Sequence, residues 1–299
     1  MPDYIAQYRI YLEQEKHASA NTVSSYIRDV TQFCAWLPEG SDLRRVKPAA
    51  VSDYLTYLTD RGRSAATVIR SAASIKSFYN YLVVSDAMKA NPAKGIAAAK
   101  AERKCPQILT GREVELLLEQ PKCVDEKGFR DRAMLELLYA TGIRVSECVG
   151  INIDDLDFQT NGVLVTRKGG NQVILYYPQE VADALADYLK ERKTMEPATP
   201  EDQNALFLSL QRKRITQRAV QKMVKKYCAL AVPLKKRMSP HKLRSTYATR
   251  LYHETEDIYL VAEALGHSDV NTTRKHYAAM SDQRRREAAQ NTHLPTNEK

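Results

Sequence analysis

Four side chains between Ser239 and Tyr277 have the types and spacing for phosphoryl transfer: His241, Arg244, His267 and Tyr277. The segment runs from SPHKLRSTYATRLY to LGHSDVNTTRKHY. Breaking a phosphodiester without a metal needs a nucleophile, cations on the non-bridging oxygens and an acid for the leaving oxygen. His241 and Arg244 lie three positions apart and so share a face if the segment is helical. A guanidinium gives planar, two-pronged donation to phosphate oxygens, which an ammonium group does not copy. A donor of this kind, placed where charge develops, is worth on the order of 3 kcal/mol. Gly266 suits a helix terminus that presents His267 at a turn, and Ser268 or Asp269 then caps a short helix leading to Tyr277. A tyrosine is a poor nucleophile at its ordinary pKa of about 10, so nearby Arg and His groups would have to stabilise the phenolate. Its attack would store the phosphodiester bond as a phosphotyrosine, and rejoining would then need no ATP.

Charge points to the polyanion. The 299-residue chain carries a formal net charge of +9, a balance that favours nucleic acid among common partners. From Gln203 to His253 there is no Asp or Glu, and residues 211–250 hold 13 Lys and Arg. Helical neighbours of one sign repel, so a one-signed folded segment implies an external polyanion. Arg212, Arg214, Arg218 and Lys222 in this run are candidate DNA contacts. Two polar faces nearer the N-terminus, rich in Arg, Lys, Ser and Thr, add Arg28 and Arg70. Residues 1–100 alone carry 13 basic against 9 acidic residues, which is only suggestive.

The elements that must position these groups follow from periodicity. Residues 1–90 read as four helices: one around Tyr4–Leu12, one after Ser19, one from Pro48 to Arg61 and one from about Ser64. Their aromatic stripes are expected to pack a helical-bundle core. Residues 91–107, with Pro92, Gly95 and Pro106, form a linker. Thr110 and Glu113 fit a capping box for the first helix of a second domain, and a further helix spans about Phe129 to Ala140. A short helix then starts at Arg144. Between 156 and 177 the period changes to short strands with turns at Asn161-Gly162 and Lys168-Gly169-Gly170-Asn171, which predicts a small antiparallel sheet. Helices resume at Gln179–Arg192 and again after Thr216. The expected class is mainly α with a small antiparallel β-sheet.

Other classes are set aside. Hydrophobic residues make up 43% of the chain, enough for packed cores. Five widely spaced cysteines without a CxxC pair argue against a disulfide framework and a zinc site. No apolar run is long enough to span a membrane, and the acidic, amphipathic N-terminus is unlike a targeting peptide. A cytoplasmic location is expected.

TGIRVSE, HKLRSTYAT and LGHSDVNTTRKHY, with Lys168 at the strand turn, resemble in order and spacing the active-site set of the tyrosine recombinase (phage integrase) family, closest to its Xer-like branch. The resemblance covers nearly the whole chain. It implies that Arg144 and Arg244 clamp the scissile phosphate, Lys168 acts as general acid toward the 5′ oxygen, and His241 assists proton transfer. His267 would hydrogen-bond the phosphate, Glu147 would orient its neighbours, and Tyr277 would form a 3′-phosphotyrosine. Arg167 beside Lys168 is an alternative acid, with Lys168 favoured on spacing. Glu147 has a plainer alternative as an ion-pair partner of Arg144.

The resemblance further implies a core-binding domain at 1–90, a catalytic domain at 108–280 and a C-terminal helix and tail at 281–299 that links protomers, with no arm-binding domain ahead of Tyr4. The expected partner is double-stranded DNA with paired recombination sites. A tetramer on DNA, monomeric when free, would exchange strands through a Holliday junction without metal, ATP or other cofactor. Two other readings use the same residues: a type IB topoisomerase-like relaxing enzyme, and a non-catalytic DNA-binding protein of the same fold.

Overall fold

The computed structural model describes residues 3–96, 108–167 and 169–266. Lys168, His267 and Tyr277 lie outside these, as do residues 97–107 of the expected linker and the expected C-terminal helix and tail at 281–299. The chain divides into two compact units, Met1–Lys104 and Cys105–Lys299.

The first unit is helical. Asp3 accepts hydrogen bonds from the amides of Ile5 and Ala6 and so starts α1 (Tyr4–Ile10), which continues as a π-helical turn over Tyr11–Glu15. Helix α2 (Ala20–Trp36) is capped by the Ser19 side chain on the Thr22 amide, and α4 (Ala65–Val84) by Ser64 on the Thr67 amide. Between them α3 (Pro48–Asp60) begins with proline in its first turn, where a missing N–H is harmless. The aromatic stripes form the core: Tyr8, Phe33, Tyr54, Phe78 and Tyr79 are fully buried. Their rings meet edge to face, Phe33 with Tyr54 at 5.1 Å and Tyr8 with Phe78 at 5.3 Å between centroids. One charged group enters this core. The buried Asp29 carboxylate accepts two hydrogen bonds of 2.9 Å from Arg70 Nη1 and one from Ser74 Oγ.

The second unit is built round one helix. Helix α5 (Gly111–Leu118) opens on the capping box of Thr110 and Glu113. Helix α6 (Glu126–Thr141) follows, started by Asp125 accepting from the Gly128 amide. It buries Ala133, Met134, Leu135, Leu137 and Leu138, which spread round its circumference, so it lies inside the unit with no wholly solvated face. Short α7 (Val145–Gly150) leads to a three-stranded antiparallel sheet in the order β1 (Leu156–Asp157), β2 (Gly162–Thr166), β3 (Gln172–Tyr176). Thr166 pairs with Gln172, so the β2–β3 turn holds residues 167–171. Val163, Val165 and Leu175 turn into the core. Among the described residues, four more α-helices follow: α8 (Gln179–Lys193), α9 (Gln217–Ala231), α10 (Pro240–Thr255) and α11 (Ile258–Leu265). The fold is thus mainly helical with one small antiparallel sheet.

Candidate active site

Arg144 owes its place to a sharp exit from α6. Gly142 ends that helix in the left-handed region at φ 60°, and a Cβ there would stand 2.3 Å from Tyr247 Cδ1, so glycine is needed for both conformation and space. The turn sends Ile143 into the core and makes Arg144 the N-cap of α7. Glu147, buried in the first turn of α7, reaches back. Its Oε2 accepts from the Arg144 amide at 3.0 Å, and its Oε1 accepts from Arg144 Nη1 at 2.7 Å. The ion pair anticipated between these two residues is therefore present, and it orients the guanidinium. Arg144 Nη2 donates to the Gly266 carbonyl at 3.2 Å.

Arg244 comes from α10, one turn after the exposed His241. Its side chain is only 6% exposed, and it donates from Nη1 to the Gly142 carbonyl and from Nη2 to the Leu265 carbonyl. Burial pushes the guanidinium down to about 10, and the charges of Arg144 and then Arg167 push the same way, against Glu147. A third arginine arrives from the sheet. Arg167, the residue after β2, donates from Nη2 to the Ala264 carbonyl at 3.0 Å and from Nη1 to the Glu263 carbonyl at 3.4 Å.

Three guanidiniums thus take up the four successive carbonyls of residues 263–266 at the C-terminal end of α11. Those oxygens carry the negative end of the helix dipole, and that of Glu263 also accepts from the Gly266 amide at 2.8 Å, so they draw cations that would otherwise repel one another. Gly266 closes the helix at φ 59°, and a Cβ there would meet Arg167 Nη1 at 2.2 Å. Among the described residues, Glu147 is the carboxylate that acts on this group. The chain next continues to His267, and the residue following Arg167 is Lys168. The β2–β3 turn that contains Lys168 is closed by Arg167 N donating to Asn171 O at 2.7 Å and Gly170 N donating to Arg167 O at 3.1 Å. Gly169 and Gly170 take φ values of 89° and 84°, as a tight glycine turn requires. A dense cationic patch with one carboxylate is suited to a doubly or singly charged oxyanion, and its donors are held in place before any ligand arrives.

The candidate DNA contacts divide by surroundings. Arg28, Arg218 and Lys222 are exposed. With Lys225, the last two form a basic stripe along α9 at helical spacing. Arg70 is tied to buried Asp29. Arg212 pairs with Glu126 at 2.8 Å. Arg214 donates to the carbonyls of Val149 and Ile151 and to Asn152 Oδ1, bracing the exit of α7. Lys235 bridges Glu113 and the Ile108 carbonyl, and Arg250 pairs with Glu254. The run without acids in sequence is therefore mixed in space, because Glu113 and Glu126 are brought to it by α5 and α6. The sequence flagged Arg167 only as a substitute for Lys168; its hold on α11 had no signal in spacing or periodicity.

Residues 107–284 match the phage integrase family, and residues 5–85 match the N-terminal SAM-like domain of phage integrases. The chain belongs to the phage integrase family of tyrosine recombinases. Tyrosine recombinase XerD of Staphylococcus saprophyticus is 34% identical over 278 residues, spanning 91% of this chain and 92% of the relative. Tyrosine recombinase XerC of a Roseiflexus species is 34% identical over 277 residues, spanning 91% and 88%. The XerH site-specific recombinase, solved bound to a palindromic difH substrate as a post-cleavage complex, superposes with a TM-score of 0.78. That match covers 95% of this chain and 84% of XerH at 22% identity, a likeness of fold. Among the described residues of this tyrosine recombinase, no helix is long and apolar enough to cross a membrane. Nor, among them, do three or more His, Cys, Asp or Glu gather as metal ligands would.

Proposed function

We propose that this protein is a site-specific DNA recombinase that cuts and rejoins strands through Tyr277. The observation that carries the reading is the meeting of Arg144 and Arg244, distant in sequence, at the end of α11, one residue before His267. The Tyr277 oxygen attacks the scissile phosphorus, forming the 3′-phosphotyrosyl bond as the bond to the 5′ oxygen breaks. Arg144 and Arg244 neutralise the non-bridging oxygens as charge grows on them, with His267 as a further donor. Lys168 gives its proton to the departing 5′ oxygen, and His241 assists proton transfer at the tyrosine. The phosphoester count is conserved, so a 5′ hydroxyl from a second duplex reverses the step without ATP.

Paired sites held by a tetramer, assembled on DNA from free monomers, exchange strands in turn through a Holliday junction. The likeness to the tyrosine recombinases XerC and XerD supports the recombinase reading on which this order rests. The helical unit at 1–90 and the catalytic unit at 108–280 hold the duplex through Arg28, Arg70, Arg212, Arg214, Arg218 and Lys222. The linker at 91–107 joins them, residues 281–299 link protomers, and the protein works in the cytoplasm.

Incubation with a nicked duplex bearing the recombination site is expected to leave a covalent protein–DNA adduct that is absent in Tyr277→Phe. An adduct of equal yield in that variant refutes the nucleophile, and relaxation of plasmids lacking any site would favour a topoisomerase-like activity instead.

A further inference from the structure

Arg167 plays no part in the chemistry set out above, yet it precedes Lys168 in the chain and its side chain meets Gly266, the residue before His267. Its own main chain closes the β2–β3 turn through Asn171 O and Gly170 N, and the next residue in that turn is Lys168. Its side chain reaches the other way, onto the Glu263 and Ala264 carbonyls, and lies flat on Gly266, the residue before His267. The approach is close enough that any side chain at 266 would displace it.

No other residue described here joins these two chain points so directly. β2 and α11 belong to different elements, one a strand of a small sheet and the other a helix packed on α10. A hairpin turn with two glycines at positive φ is soft, and the last turn of a helix frays unless its carbonyls are held. One planar fork bridges both. Its bonds are made to main-chain oxygens, so they set the path of the backbone rather than the rotamer of one neighbour.

We propose that Arg167 is a positioning residue that ties the β2–β3 turn to the C-terminal end of α11, so that one side chain sets where both Lys168 and His267 leave the backbone. The catalytic consequence rests on the recombinase reading above; the tie itself does not. A misplacement of about 1 Å at a reacting group can lower a rate on the order of a hundredfold, while removing a general acid outright lowers it by about 10²–10⁴. Loosening the tie is expected to fall below either limit, on the order of tenfold.

Two measurements on the full chain test this. The first is amide hydrogen exchange of the free protein. Arg167→Ala is expected to speed exchange in both 164–176 and 258–266, and unchanged exchange, or a change confined to one segment, overturns the tie. The second is single-turnover adduct formation on duplexes that the wild-type protein selects from a random pool, after its cleavage position is mapped. One duplex carries the natural 5′ oxygen. The other carries a 5′-bridging sulfur, which leaves as a thiolate without needing a proton. At saturating DNA, Arg167→Ala is expected to be about tenfold slow on oxygen and markedly less impaired on sulfur, with Arg167→Lys intermediate. A defect equal on both duplexes, or none, overturns the catalytic role. A general loss of stability would not respond to the leaving atom. Where the alanine variant does not fold, the lysine variant, which keeps the cation and stem, supplies the same comparisons. If the wild-type protein forms no adduct on any duplex, or Lys168→Ala is not restored by sulfur, the recombinase reading fails, and exchange alone decides the tie.

Discussion

Replacing Arg244 with methionine should separate folding from catalysis, because the energetic terms at this residue oppose each other. Methionine has a similar length and no charge. The substitution removes two charge-assisted hydrogen bonds, to the Gly142 and Leu265 carbonyls, worth about 1.5–3 kcal/mol each. It also removes a buried cation whose charged form is disfavoured. A guanidinium brought down from its ordinary value to about 10 is held charged at neutral pH at a penalty of about 3 kcal/mol, at 1.36 kcal/mol per tenfold change. Glu147 keeps its 2.7 Å bond to Arg144, so no carboxylate is orphaned. The net destabilisation is about 0–3 kcal/mol, which for a domain of this size lowers the melting temperature by no more than about 10 °C. Catalysis has no such compensation, since one preorganised donor to the developing oxyanion is worth about 10²–10³ in rate. Calorimetric melting of the free protein, alongside single-turnover adduct formation, reads both quantities. A melting point lowered by 15 °C or more would mean that Arg244 chiefly holds the fold. An adduct rate within tenfold of wild type would mean that it is not a phosphate donor.

Other sites give independent tests. Gly142→Ala places a methyl against the Tyr247 ring at positive φ and should destabilise by about 2–4 kcal/mol in thermal melts; a neutral result would refute the close approach. Asp29→Asn weakens the hydrogen bonds from Arg70, whose own side chain is partly exposed, and should cost about 1–2 kcal/mol, seen as earlier unfolding of the helical unit. Glu136 is buried, which raises its pKa above 4.5 despite the Arg132 bond. The folded state therefore holds that proton more tightly, and its contribution is present below pH 4.5 and lost as pH rises through the raised value. Glu136→Gln should thus gain stability over wild type with rising pH, and a difference that is flat with pH would refute this. Arg218→Ala with Lys222→Ala should weaken DNA binding and lower its salt slope by about 1.8, whereas Arg214→Ala should lower stability with a smaller effect on that slope.

Local signals in the chain reported local structure well. Ser19, Ser64 and the Thr110–Glu113 box each cap the helix they announce, and the glycine turn at 169–170 closes a hairpin as its composition implied. Asp125 was the missed cap: its side chain starts α6 ahead of Phe129, because the charged first turn has no apolar periodicity. Charge was legible only in part. The acid-free run along 203–253 pointed to a polyanion, but it did not show that Arg212, Arg214 and Lys235 also meet Glu126, Asn152 and Glu113 from elsewhere in the chain. Long-range partners leave no trace in local counts. The same limit hid Arg167, whose ligands are carbonyls that any sequence possesses.

That last property changes how the site tolerates sequence drift. Glu263, Ala264 and Leu265 are gripped through their peptide oxygens, which survive nearly every substitution, so side chains along the end of α11 can be exchanged freely where packing allows. Register is another matter. Adding or removing one residue in α11 would rotate its last carbonyls by about 100°, turning them away from all three arginines at once while every residue type at the site stayed the same. The end of this helix is guarded against misspelling only weakly but against slippage strongly, and a library of single-residue insertions and deletions across 258–265 would be far more damaging than a library of substitutions.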